Sequence, residues 1–162
     1  MLRRIIYIII VSCLFSANDV LAQHLVLTPN GMCSSDNSSV PYVEYSYRDG
    51  ISQKEIKNYC VQKLGQPDFF PYRVDYTDEK TIKLSGYSRK SLKGMRFNLL
   101  MEFGTESVRV SSQLIDKKGL NLDCGKYFTK KGKLKNYKIK EEVEPKVNGI
   151  ILSLMDMKII VK

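Results

Sequence analysis

Histidine and tryptophan are where this chain is poorest: its 162 residues hold one His, His24, and no Trp. A single imidazole excludes Ser-His-Asp triads, multi-histidine zinc sites and histidine acid–base pairs. Other catalytic signatures are missing too. No Cys-x-x-Cys, calcium loop, Gly-x-Ser-x-Gly elbow or phosphate-cradling glycine loop occurs. Acidic side chains are scarce, 17 Asp and Glu against 26 Lys and Arg. Paired carboxylates, the remaining route to hydrolysis, cluster at Asp75, Asp78 and Glu79. Those three surround a turn, where Asp serves the backbone. The absences together point to a protein that is not an enzyme and uses neither metal nor cofactor.

Long apolar runs are also rare. The one at the start, Ile5–Ala17, follows Arg3 and Arg4 and precedes Val20-Leu21-Ala22. It is too short to span about 30 Å of hydrocarbon and has the parts of a secretory signal peptide over residues 1–22. Ile10-Val11-Ser12-Cys13 resembles a lipobox, but the stretch before Cys13 is very short for acylation there. The expected address is periplasmic or extracellular, with no transmembrane span in the mature chain.

Cysteine is sparse, four in all. Cys33, Cys60 and Cys124 follow the leader, at spacings that match no metal motif. Cys60 falls on the apolar stripe of a helix and reads as a small buried hydrophobe. Cys33 and Cys124 both lie in loop-like sequence, and they are the candidate disulfide of an oxidising compartment.

What is present is an α+β pattern. Residues 23–39, with Pro29-Asn30-Gly31 and the polar run from Ser34 to Ser39, read as a flexible lead-in outside the core. Asn37-Ser38-Ser39 matches a glycosylation sequon. A single domain over 40–162 follows. Val40–Tyr47 reads as a strand with Val43, Tyr45 and Tyr47 on one face. Ser52-x-x-Glu55 is a capping box, with Ile51 and Ile56 as its hydrophobic staple. Ile56, Tyr59, Cys60 and Leu64 then carry a helix over about 52–64, which Gly65 should stop in the left-handed conformation. Alternation predicts strands at Tyr72–Tyr76, Thr81–Tyr87, Met95–Phe103 and Val108–Ile115, a meander of hairpins. Ser88–Gly94 reads as a basic loop. Glu142–Val161 is the expected second helix, with Pro145 in its first turn and Val147, Ile150, Ile151 and Leu154 as its stripe. The two helices should cover one sheet face. The other face, with its tyrosines, is a candidate contact surface.

Residues 117–140 are different in character. Lys126, Lys130, Lys131, Lys133, Lys135 and Lys138 interleave with Tyr127, Phe128 and Tyr137 in an exposed loop or edge hairpin. Cations steer anionic polymers and rings can stack on bases or sugars, so these lysines are a candidate anion-binding site. Its ligand would be nucleic acid, acidic polysaccharide or lipid headgroups. The competing reading is a solvated edge that lysine protects from aggregation.

The order of parts resembles a known family. Val40–Tyr47, the Ser52-x-x-Glu55 helix, the hairpin ending Lys83-Leu84-Ser85-Gly86-Tyr87 and the Met95–Ile115 hairpin look like a secreted bacterial family of unknown function with a TATA-binding-protein-like fold. The resemblance covers about residues 40–160. It implies a curved antiparallel sheet in β-α-β-β-β-β order with helices on one side, and no catalytic residues. The fold name implies no DNA binding, because function belongs to sites. The partner would be an unidentified protein or envelope component.

Overall fold

A computed structural model describes residues 23–66, 73–87, 96–116, 118–155 and 160–161. The expected leader at 1–22, with Cys13, and the basic loop at 88–94 lie outside the described residues.

The chain is α+β. A hairpin comes first, β1 (Leu25–Thr28) and β2 (Gly31–Ser34), followed by β3 (Tyr42–Tyr47) and helix α1 (Gln53–Leu64). Then come β4 (Arg73–Thr77), β5 (Thr81–Tyr87), β6 (Arg96–Phe103) and β7 (Ser107–Ile115). A 3-10 turn (Cys124–Tyr127), helix α2 (Tyr137–Leu154) and a short strand β8 (Ile160–Val161) close the order. The main sheet has six antiparallel strands ordered β4-β5-β6-β7-β3-β8, and β1–β2 form a sheet of their own.

Strand alternation fixes which side is covered. Phe97, Leu99, Met101 and Phe103 of β6 pair with Leu114, Ser112, Val110 and Val108 of β7, and all eight are buried. Ile82, Leu84 and Val43 extend that face onto β5 and β3. Ile56 and Cys60 of α1 and Val143, Val147, Ile150, Ile151 and Leu154 of α2 join the same cluster. Both helices therefore share one core with one sheet face, as their apolar stripes require.

Helix α1 starts where its capping box dictates. The Glu55 amide donates to Ser52 Oγ at 3.4 Å, and the Ser52 amide donates to Glu55 Oε2 at 2.8 Å. The Ser52 hydroxyl, which donates to Glu55 Oε2 at 2.6 Å, and then the Ser52 amide hold the Glu55 carboxyl below its usual range. Gly65 does not stop the helix in the left-handed conformation. Its φ is −76°, and its amide donates to the Val61 and Gln62 carbonyls, a right-handed ending.

Three further expectations are corrected. Residues 23–39 are not a lead-in outside the core, because Leu25, Leu27, Met32 and Cys33 are buried. Pro29-Asn30-Gly31 is the turn of the hairpin, with Gly31 at φ +119° where a side chain would be strained. Helix α2 begins at Tyr137, not Glu142, since Asn136 Oδ1 accepts from the Lys138 amide and caps it. Pro145 consequently sits inside the helix on its exposed side, where the bond it forfeits faces water. The helix also ends at Leu154, and Ile160–Val161 pairs with Ser46–Tyr47 of β3 instead of continuing it.

Candidate functional site on the open sheet face

The side of the sheet turned away from the helices is built by the alternate residues of the same strands. Register aligns Thr81, Glu102, Arg109 and Glu44 in one row across β5-β6-β7-β3. Lys83, Leu100, Ser111 and Tyr42 form the next, and Ser85, Asn98 and Gln113 the third. Two hollows lie on this face. The larger, about 670 Å³, is lined by Lys83, Asn98, Leu100, Ser111 and Gln113 of this face and also by Leu99, Ser112 and Leu114 of the covered side. Its walls are the β1–β2 turn at Asn30–Met32 and the Asn121–Cys124 segment. The smaller, about 540 Å³, is charged, with Glu44, Glu102 and Glu106 beside Lys80 and Arg109.

Chemically the two hollows differ. In the smaller, Glu44 Oε1 accepts from Ser107 Oγ at 2.6 Å and from Arg109 Nε at 3.3 Å. The Arg109 guanidinium also stands 5.1 Å from the centre of the Tyr42 ring. The Glu44–Arg109 pair is solvent-exposed, so it orients side chains more than it stabilises, at about 0–1 kcal/mol. The larger hollow presents side-chain amides, the Ser111 hydroxyl and Lys83 beside leucines, Leu100 among them. Ser85 Oγ donates to Asn98 Oδ1 at 3.1 Å, which leaves the Asn98 N–H groups for an occupant. The Asn121–Cys124 wall is fixed by the Leu122 amide, which donates to the Leu114 carbonyl at the end of β7.

Among the described residues, two of the tyrosines expected on this face lie elsewhere. Tyr45 and Tyr47 point to the covered side; their hydroxyls donate to the Gln23 carbonyl at 3.0 Å and the Gly104 carbonyl at 3.1 Å. Burial pushes both phenols up to about 12, Tyr47 with a further contribution from Cys60. Tyr42 is the aromatic that β3 places on the open side. Asn98, Gln113, Ser111 and Lys83 carry no motif that marks a site. Their only signal was being the polar alternates of adjacent strands.

The lysine segment folds into a tight loop ahead of α2. Phe128 and Leu134 bridge, the Thr129 amide donates to the Lys133 carbonyl, and Gly132 turns at φ +74°. Lys126, Lys130, Lys131, Lys133, Lys135 and Lys138 are all exposed, but on three successive pieces: 3-10 turn, loop and helix start. Lys135 Nζ donates to the Lys126 carbonyl at 2.9 Å, and Lys126 Nζ lies 5.2 Å from the Tyr127 ring centre. Tyr127 and Phe128 pack against the core, so of the three interleaved aromatics only Tyr137, 66% exposed, is displayed. The first turn of α2 holds no acid and carries Lys138 and Lys140, which sets cations against the positive end of the helix dipole.

The remaining candidates resolve as follows. Asp78 Oδ1 accepts from the Lys80 and Thr81 amides at 2.7 and 2.6 Å and so forms the β4–β5 turn. Glu79 is exposed beside it, and the Asp75 side chain lies outside the described residues. The His24 amide and carbonyl bond to Ser35 while its side chain is exposed. Cys33, on β2, and Cys124, in the 3-10 turn, are buried thiols. Among the described residues, no group of three or more His, Cys, Asp or Glu is placed to hold a metal. Nor, among them, is any helix long and apolar enough to cross a membrane. Comparison with protein-family models, curated proteins and solved structures gives no match to this chain.

Proposed function

We propose that this is an exported, non-enzymatic binding module of the TATA-binding-protein-like kind, which holds an uncharged saccharide of the cell envelope on its open sheet face. The fold assignment is supported by the chain order β3-α1-β4-β5-β6-β7-α2. One observation carries the ligand class: Asn98, Gln113, Ser111 and Lys83 neighbour Leu100 in strand register, and all five line the larger hollow. Side-chain amides and hydroxyls match the paired donors and acceptors of sugar hydroxyls, and a leucine between them suits the apolar face of a sugar ring. The test is an NMR titration with oligomers of N-acetylglucosamine. Amide shifts should concentrate on β5, β6 and β7, persist in high salt, and weaken at least tenfold in Asn98→Ala/Gln113→Ala. No shifts on those strands, or binding indifferent to the double variant, would remove the reading.

A second reading rests on the acid-free, lysine-bearing start of α2. There the 126–138 lysines bind an anionic polymer such as acidic polysaccharide, nucleic acid or a headgroup surface. Salt separates the two. For nucleic acid, log affinity should fall with log salt at a slope of roughly −0.7 to −0.9 per phosphate neutralised. That slope should flatten when Lys130, Lys131, Lys133 and Lys135 become Ala. An unchanged slope would return these lysines to solvated surface.

A further inference from the structure

Three thiols lie in the described chain, Cys33, Cys60 and Cys124, and all are buried. Cys60 is on the inner side of α1, where its thiol donates to the Leu154 carbonyl at 3.8 Å. The other two belong to a different corner. Cys33 is on β2, its sulfur 3.3 Å from Thr28 Oγ1. Cys124 opens the 3-10 turn, its thiol donating to the Leu122 carbonyl at 3.6 Å. That turn packs on the hairpin: a Cβ built on Gly125 would come within 3.8 Å of the Pro29 carbonyl. Cys124 and Met32, the chain neighbour of Cys33, line the same hollow on the open face.

We propose that Cys33 and Cys124 form a disulfide that fastens the β1–β2 hairpin to the 3-10 turn at the wall of the larger hollow, with Cys60 left as a thiol. The pairing is independent of which ligand the hollow takes. The oxidant is a small disulfide, for which oxidised glutathione serves as the probe. The thiolate of Cys124, the cysteine that lines the hollow, attacks one glutathione sulfur and expels a glutathione thiolate. A mixed disulfide on Cys124 results. The Cys33 thiolate then attacks the Cys124 sulfur and expels the second glutathione thiolate. Two protein thiols are oxidised, one small disulfide is reduced to two thiols, and the two thiol protons end on the departing thiolates. Burial, with Asp123 adding to it, raises the Cys124 thiol above its ordinary value, so the exchange runs best in mild alkali.

The bond closes a loop that spans most of the main sheet, so it removes much freedom from the unfolded chain. The melting midpoint of the oxidised protein should stand above that of the reduced protein by on the order of 10 °C. The deciding experiment incubates the full chain with oxidised glutathione at mildly alkaline pH, alkylates it and maps peptides without reductant. The expected result is the loss of two hydrogen masses, alkylation at Cys13 and Cys60, and one cross-linked peptide pair containing Cys33 and Cys124. Cys60→Ala should keep the link, whereas Cys33→Ala and Cys124→Ala should each abolish it. Alkylation of both Cys33 and Cys124, separate glutathione adducts on them, or a link to Cys60 would overturn the assignment. The map on the unsubstituted chain decides even if a buried substitution unfolds the protein.

Discussion

Asn148 and Leu25, 123 positions apart in sequence, hold each other by two reciprocal hydrogen bonds. The Leu25 amide donates to Asn148 Oδ1 at 2.9 Å, and Asn148 Nδ2 donates to the Leu25 carbonyl at 2.8 Å. One helical turn earlier, Glu144 Oε1 accepts from the Leu27 amide at 2.7 Å. The i, i+4 spacing stands both side chains in line on α2, so the helix substitutes for a neighbouring strand along β1. A bare edge would otherwise present its unpaired backbone groups to other chains.

Asn148→Leu should therefore cost about 1–3 kcal/mol, because it leaves the partly buried backbone groups of Leu25 without partners. Urea unfolding would give the size. Hydrogen exchange would give the place, with the Leu25 amide losing protection while amides in the middle of β6 and β7 keep theirs.

The same contact makes the N-terminal hairpin part of the domain. Leu25 is 0% exposed, so Leu25→Ala should cost about 2–5 kcal/mol, as for a fully buried leucine. A chain cut to residues 40–162 should lose cooperative unfolding. A sharp urea transition for the truncated chain would restore residues 23–39 to the status of a tail.

How far the sequence discloses this fold depends on whether each signal is local. Helix α1 is legible because Ser52 and Glu55 close a reciprocal pair within four residues, and β6 and β7 because alternation runs for eight or nine residues. The β1–β2 hairpin escapes because each strand is four residues long and its edge is satisfied by a helix more than a hundred residues away. Two-residue β8 carries no periodicity at all. The start of α2 misleads because Glu142 and Pro145 are good first-turn residues, yet the cap that forms is Asn136. The floor of the open face is hidden for another reason. Asn98 and Gln113 become neighbours only through strand register, which alternation in one strand does not reveal.

Alkaline stability follows from Tyr45 and Tyr47. Both phenols rise from 10.0 to about 12, chiefly by burial, and burial raises the Cys60 thiol from 9.0 to about 12 as well. A raised value means the fold favours the protonated form. Their contribution is complete below the unfolded values and is lost as pH climbs through the folded ones. Stability should thus hold to about pH 9 and fall between pH 9 and 12. Ultraviolet titration of tyrosinate should show a late-ionising group, and Tyr45→Phe/Tyr47→Phe should reduce it and flatten the fall. If all tyrosines of the folded chain titrated near pH 10, the burial of these two would be wrong.

Ser112 sits among the covered residues, paired in register with Leu99, and is 9% exposed. Its hydroxyl is buried and has no hydrogen-bond partner. A hydroxyl taken out of water without compensation costs free energy, whereas a methyl at the same place does not. Ser112→Ala should therefore stabilise the protein by about 0.5–1 kcal/mol, the reverse of the usual core substitution, with an unchanged urea slope. Leu99→Ala, one strand away, removes volume instead and should cost about 2–5 kcal/mol. Opposite signs at facing positions would distinguish an unpaired hydroxyl from loose packing. A loss of stability in Ser112→Ala would mean that the hydroxyl is hydrogen-bonded in solution after all.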